Sequence, residues 1–86
     1  MSELTSNVFT VLDSAITERS MFSTKSLMPL DGAMYVWYGS YSGTANELKT
    51  EGMLVSENAL LEHVLQYDGI ISMVSASGSN TIHEVA

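Results

Sequence analysis

Residues 4–22 read LTSNVFTVLDSAITERSMF, and the period given to this stretch decides the fold. Val8, Val11, Leu12, Ala15 and Ile16 recur at i, i+3, i+4, i+7 and i+8, which lays one apolar stripe along a helical period. Ser2 or Thr5 offers a side chain to cap the first turn. The spacing predicts a helix. Its rival is a strand over residues 8–12, because Val and Thr fit a pleated, half-buried surface.

Moving outward, residues 23–32 hold the only proline, Pro29, and end in Asp31-Gly32, which is turn and loop chemistry. Residues 33–41 read AMYVWYGSY and predict a strand, dense in aromatic and β-branched side chains. Alternation puts Tyr35, Trp37, Gly39 and Tyr41 on one face and Met34, Val36, Tyr38 and Ser40 on the other. Residues 42–55 admit two readings. In one, Thr44 and Glu47 form a capping box and Gly52 ends a short helix. In the other, residues 42–46 are a hairpin loop and 47–55 the return strand. The hairpin is preferred, because the helix would have only Ala45 and Leu48 to hold it down.

Residues 56–68 predict a second helix. Ser56 is the N-cap, Glu57 suits the positive first turn, and Leu60, Leu61, Val64 and Leu65 form the buried stripe, stopped by Gly69. Residues 69–74 read as a strand, and residues 80–85 as a final strand paired with it across the SASGSN loop at 75–80. The order is α-β-β-α-β-β. It predicts an α+β domain, with two helices on one face of a small, mostly antiparallel sheet. Its one parallel link would be the crossover through residues 56–68.

The chain has 86 residues, enough for one domain over 1–86. Its charged fraction, 15%, is well below the roughly 25% usual in folded domains, while 45% is hydrophobic. That balance argues against disorder. It leaves two uses for the apolar excess: an efficient core, or a surface shared with another chain. Six methionines suit either use. Cysteine is absent, which removes disulfides and thiolate chemistry. The N-terminal residues lack a basic, apolar leader and no apolar run reaches membrane-spanning length. The expectation is a cytoplasmic or intravirion protein with no membrane contact.

Ten acidic residues stand against Arg19, Lys25 and Lys49, a net charge of −7. Direct nucleic-acid binding is disfavoured, since that affinity comes from Lys and Arg displacing counterions. His63 and His83 are the only histidines, and their neighbours Glu62 and Glu84 point elsewhere in a helix or strand. No glycine pattern matches a nucleotide-binding motif. No catalytic, metal or cofactor site is therefore expected, and the chain is read as non-enzymatic.

Two features rise above this background. The aromatic strand is apolar on both faces, and Tyr and Trp concentrate where proteins bind one another. The half after Lys49 carries Glu51, Glu57, Glu62, Asp68 and Glu84 with no Lys or Arg. The reading is a protein–protein interaction module, a homo-oligomer included among its partners. Tyr35, Trp37, Tyr41, Glu57, Glu62 and Asp68 are its contact residues. One alternative is a small acidic inhibitor or nucleic-acid mimic of the mobile-element type that blocks a basic host protein. Another is a small-molecule binder with a pocket between helix and sheet.

Overall fold

Residues 4–22 do not form a helix where the structure describes them. A computed structural model describes residues 6–20, 26–61 and 69–85, and in it this stretch divides at Asp13 into strands β1 (Ser6–Val11) and β2 (Thr17–Ser20). Strand alternation turns Phe9 and Val11 inward, Val11 completely. The helical stripe would have buried Val8 and Leu12 together, yet these are 64% and 44% exposed. A run of Val, Phe and Thr satisfies either period over so few residues, and tertiary pairing settled it as a strand.

The expected α+β class is likewise overturned. The described residues hold seven strands in two antiparallel sheets and a single short helix. Beyond β1 and β2 come β3 (Ser26–Pro29), β4 (Met34–Tyr38), α1 (Ala45–Glu51), β5 (Met53–Val55), β6 (Ile70–Ser75) and β7 (Asn80–Val85). One sheet has the order β1-β7-β3 and the other β2-β6-β4-β5. β3 lies in the span expected to be loop. Pro29 is tolerated there because it ends an edge strand, where its missing N–H breaks no ladder.

The second expected helix also fails over residues 56–61. Ala59 N–H donates to the Ser56 carbonyl at 2.9 Å and Asn58 takes φ 64°, so the chain turns. Asn58 N–H then reaches the Pro29 carbonyl, and Leu61 exchanges hydrogen bonds with Leu27. The edge of β3 takes up this backbone in place of a helical ladder. The rest of that expectation, residues 62–68, lies outside the described residues, and with it Glu62, His63, Val64, Leu65 and Asp68.

β6 and β7 fall where expected, but they do not pair with each other. β7 is the middle of one sheet, bonded to β1 and β3, and β6 is an inner strand of the other. The turn at 76–79 carries the chain between sheets, with Gly78 at φ 65°. The expected parallel crossover is absent too, for β5 and β6 flank β4 on opposite sides and both run antiparallel to it.

Residues 42–55 combine the two sequence readings. The capping box is formed, α1 runs seven residues to Glu51, and the return strand shrinks to three residues. Gly52 joins them at φ −79°, an ordinary backbone angle. What requires glycine is proximity. A Cβ there would lie 2.8 Å from the Leu48 carbonyl oxygen and 2.9 Å from that of Val36.

The core lies between the sheets. Val11, Leu27 and Ile82 come from one, and Met34, Val36, Val55, Ile71 and Met73 from the other, with Leu61 beside them. α1 packs on the outer face of β4 and β6 and buries Leu48 completely. β4 is thus covered on one face by the core and on part of the other by its own helix. The two-sided apolar strand is largely answered within the chain, save for Trp37 and Tyr38 at its end.

Two polar groups close the sandwich. Asn80, fully buried, donates from Nδ2 to the Gly32 and Ala33 carbonyls at 2.9 and 3.2 Å. Its Oδ1 accepts from Asp31 N–H at 2.9 Å. At the other end of β7, buried Glu84 takes both arms of Arg19, at 2.7 and 3.1 Å, while Arg19 lies over the Phe9 ring. That bond and the Glu84 charge hold the Arg19 pKa above its usual value, against the opposing effect of burial.

Candidate functional site

The exposed end of β4 builds a groove from side chains that the local chain course brings together. Gly39, at φ 115°, lets the chain turn sharply after Tyr38, a geometry open to glycine at little cost. Ser72 pins the turn by donating to the Gly39 carbonyl at 2.7 Å and accepting from Tyr41 N–H at 3.0 Å. Tyr41 consequently returns beside Trp37. Their ring centres are 5.1 Å apart and their planes inclined at 66°, the edge-to-face arrangement aromatic quadrupoles favour.

Three residues later the capping box starts α1. Thr44 N–H donates to Glu47 Oε1 at 2.8 Å, and Glu47 N–H to Thr44 Oγ1 at 3.2 Å. Glu51 follows Glu47 by four residues and so shares its face of the helix. Tyr41 donates its hydroxyl proton to Glu51 Oε1 at 2.5 Å. This bond, with burial and the charges of Glu51 and Glu47 adding to it, pushes the Tyr41 phenol up to about 12. Tyr41 therefore stays a neutral donor throughout the physiological range.

The result is an open groove of about 350 Å³ lined by Trp37, Ser40, Tyr41, Ser42, Gly43, Glu47 and Glu51, with no cationic side chain among them. Gly43 leaves it room: a Cβ there would lie 2.6 Å from Glu47 Oε1 and 2.7 Å from Tyr41 Cε2. Ser40 also donates to Glu18 Oε2 at 2.5 Å, so a third carboxylate stands close by. On the other side of Trp37 lies a second hollow of about 340 Å³, walled by Val36, Tyr38, Glu51 and Met53. It opens where β5 stops. β5 partners residues 34–36 alone, so Trp37 and Tyr38 have a strand neighbour only on the β6 side. Burial pushes the Tyr38 phenol up as well.

Of the residues singled out from sequence, the structure brings Trp37 and Tyr41 together, with Trp37 39% exposed. Tyr35 shares their face but is half-buried and does not line the groove. Glu57 is exposed in the turn after β5, away from it. Glu62 and Asp68 lie outside the described residues. The groove's own carboxylates, Glu47 and Glu51, were not among the sequence candidates. The capping box that orients them was visible in the sequence but was set second to the hairpin.

Among the described residues no three His, Asp or Glu side chains group closely enough to hold a metal ion, and no helix is long and apolar enough to cross a membrane. No protein-family model, no curated protein and no solved structure matches this chain.

Proposed function

We propose that the chain is a non-enzymatic binding module that engages a basic segment of another protein through the Trp37–Tyr41 groove. One observation carries the reading. An aromatic pair and two carboxylates share a single open hollow with no cationic side chain lining it among the described residues. Rings attract cations through their faces, and carboxylates accept the N–H groups those cations carry. The surrounding net charge of −7 would speed the approach of a basic partner. A second copy of the chain brings the same acidic surface, so like charges disfavour self-association at this site.

The test uses Trp37, the chain's sole tryptophan, as its own reporter. Titration with an Arg- and Lys-rich peptide should give a saturable fluorescence change that weakens as salt is raised. A Glu47→Gln, Glu51→Gln double variant should bind about tenfold more weakly, the order expected for loss of charge-assisted bonds. A flat titration at low salt, or a double variant that binds as well as the parent, would sink the reading. The closeness of Glu18, Glu47 and Glu51 also favours a second form of it, in which the partner's basic surface normally holds nucleic-acid phosphates. That form predicts that the chain displaces duplex DNA from its partner.

A further inference from the structure

We infer that the groove is selective for arginine over lysine, so that the partner segment is recognised through a guanidinium group. The inference rests on the reading just given and narrows it to one side chain. The molecule contains a closed example of the same chemistry. Arg19 places its guanidinium carbon 4.2 Å from the centre of the Phe9 ring while its Nε and Nη2 fork onto the two oxygens of Glu84. A guanidinium is planar, so one face stacks on a ring while its edge donates in plane to a carboxylate. An ammonium is a compact, strongly hydrated point charge and cannot lie flat against a ring.

The groove offers the same two partners, with no cation lining it among the described residues. Trp37 and Tyr41 supply ring walls inclined at 66°. Glu47 and Glu51 each hold one oxygen, Oε1, in a bond to Thr44 N–H or to the Tyr41 hydroxyl. Their Oε2 atoms make no bond among the described residues, and both side chains line a hollow of about 350 Å³, ample for a guanidinium and its stem. Tyr41 is fixed by its bond to Glu51, so ring wall and carboxylate are set in position before a ligand arrives. Ordering fewer groups on binding favours affinity.

The experiment compares two peptides of identical sequence except that every cation is arginine in one and lysine in the other. Binding is measured by calorimetry, which does not depend on tryptophan. The arginine peptide should bind at least about tenfold more tightly, the difference between a stacked, forked contact and a point charge. Trp37→Ala should shrink the difference between the two peptides, because it removes one of the two ring walls and leaves the charges. Gly43→Ala, whose Cβ would press on Glu47 and Tyr41, provides a second variant and should erode the preference in the same direction. Equal binding of both peptides by the parent chain, or a preference undiminished by either substitution, overturns arginine selectivity while leaving a basic-segment module in place. If neither peptide binds, the module itself is refuted, and with it this inference.

Discussion

The two ends of β4 differ in what their carboxylates accept from. At the Met34 end, side chains serve the backbone of their own chain. Asn80 satisfies three backbone groups of residues 31–33, Asp31 accepts from Thr81 N–H, and Asp13 accepts from Gly78 N–H. At the Trp37 end Ser72 and Glu47 still bond the backbone, but Glu18 and Glu51 accept from the hydroxyls of Ser40 and Tyr41 at exposed sites. Polar groups at the first end are committed to holding the two sheets together. The exposed carboxylates at the second keep acceptor capacity open to solvent. Acidity in this chain is therefore not one property. Some of it is internal scaffolding, and some is a surface available to a partner.

The comparison makes predictions that separate stability from binding. The largest effect belongs to Asn80→Leu, which strands the Asp31 N–H and the Gly32 carbonyl and leaves the Ala33 carbonyl with its bond from Ala76 N–H alone. Unfolding should become easier by about 2–3 kcal/mol, the cost of leaving such groups unpaired. In a domain of this size that lowers the melting temperature by roughly 10–20 °C in a circular-dichroism melt. A loss below about 1 kcal/mol would show that the clamp is ornamental.

Next is Gly52→Ala, between α1 and β5. Its φ of −79° suits alanine, so any cost is steric, from the Leu48 and Val36 carbonyl oxygens. About 1–2 kcal/mol is expected from urea unfolding, in the range of overpacked sites. A neutral or stabilising result would mean that α1 shifts freely on the sheet, and that Glu47 and Glu51 are not held in place.

Trp37→Ala should cost under about 1 kcal/mol, small for so large a ring. The reason is that Trp37 remains 39% exposed and touches the rim, not the core. A loss like that of a core aromatic would move Trp37 from the binding surface into the scaffold.

The smallest effect is a titration. Tyr41 should ionise near pH 12, read by phenolate absorbance, and Glu51→Gln should move it back towards the ordinary tyrosine value. The sign follows from the raised value. The folded state favours the protonated phenol, so the contribution is fully present below the unfolded value of about 10. It is lost as pH climbs from there to about 12. An unmoved titration in the glutamine variant would break the link between ring and helix.

Much of the strand content was legible because Val, Ile and aromatic residues cluster in β4, β6 and β7, bounded by glycine and serine turns. Alternation along a strand reaching Tyr41 was expected to place it with Trp37, but β4 ends at Tyr38 and the turn at Gly39 is what returns Tyr41 beside Trp37. What failed did so for physical reasons. Val8, Val11 and Leu12 satisfy a helical spacing by coincidence, and only the pairing of Phe9 with Ile82 from the far end of the chain reveals the strand. The same holds for Leu61, whose partner is Leu27. Partners distant in sequence leave no local mark, so neither the division into two sheets nor the placement of β7 could be read from neighbours. Half of the groove was hidden likewise. A seven-residue helix with one buried side chain looked too weak to form, yet Thr44 and Glu47 cap it and the sheet supports Leu48.

The position of β7 has a consequence for how the molecule comes into being. β1 and β3 do not touch as strands; each pairs only with β7 in their sheet. During synthesis, then, β1 must wait unpaired until residues 80–85 have been made, and until then β3 has only the backbone of residues 58–61 to bond. Folding dominated by such distant pairings is slow, and the waiting edges are the moment at which this chain most needs protection from its neighbours.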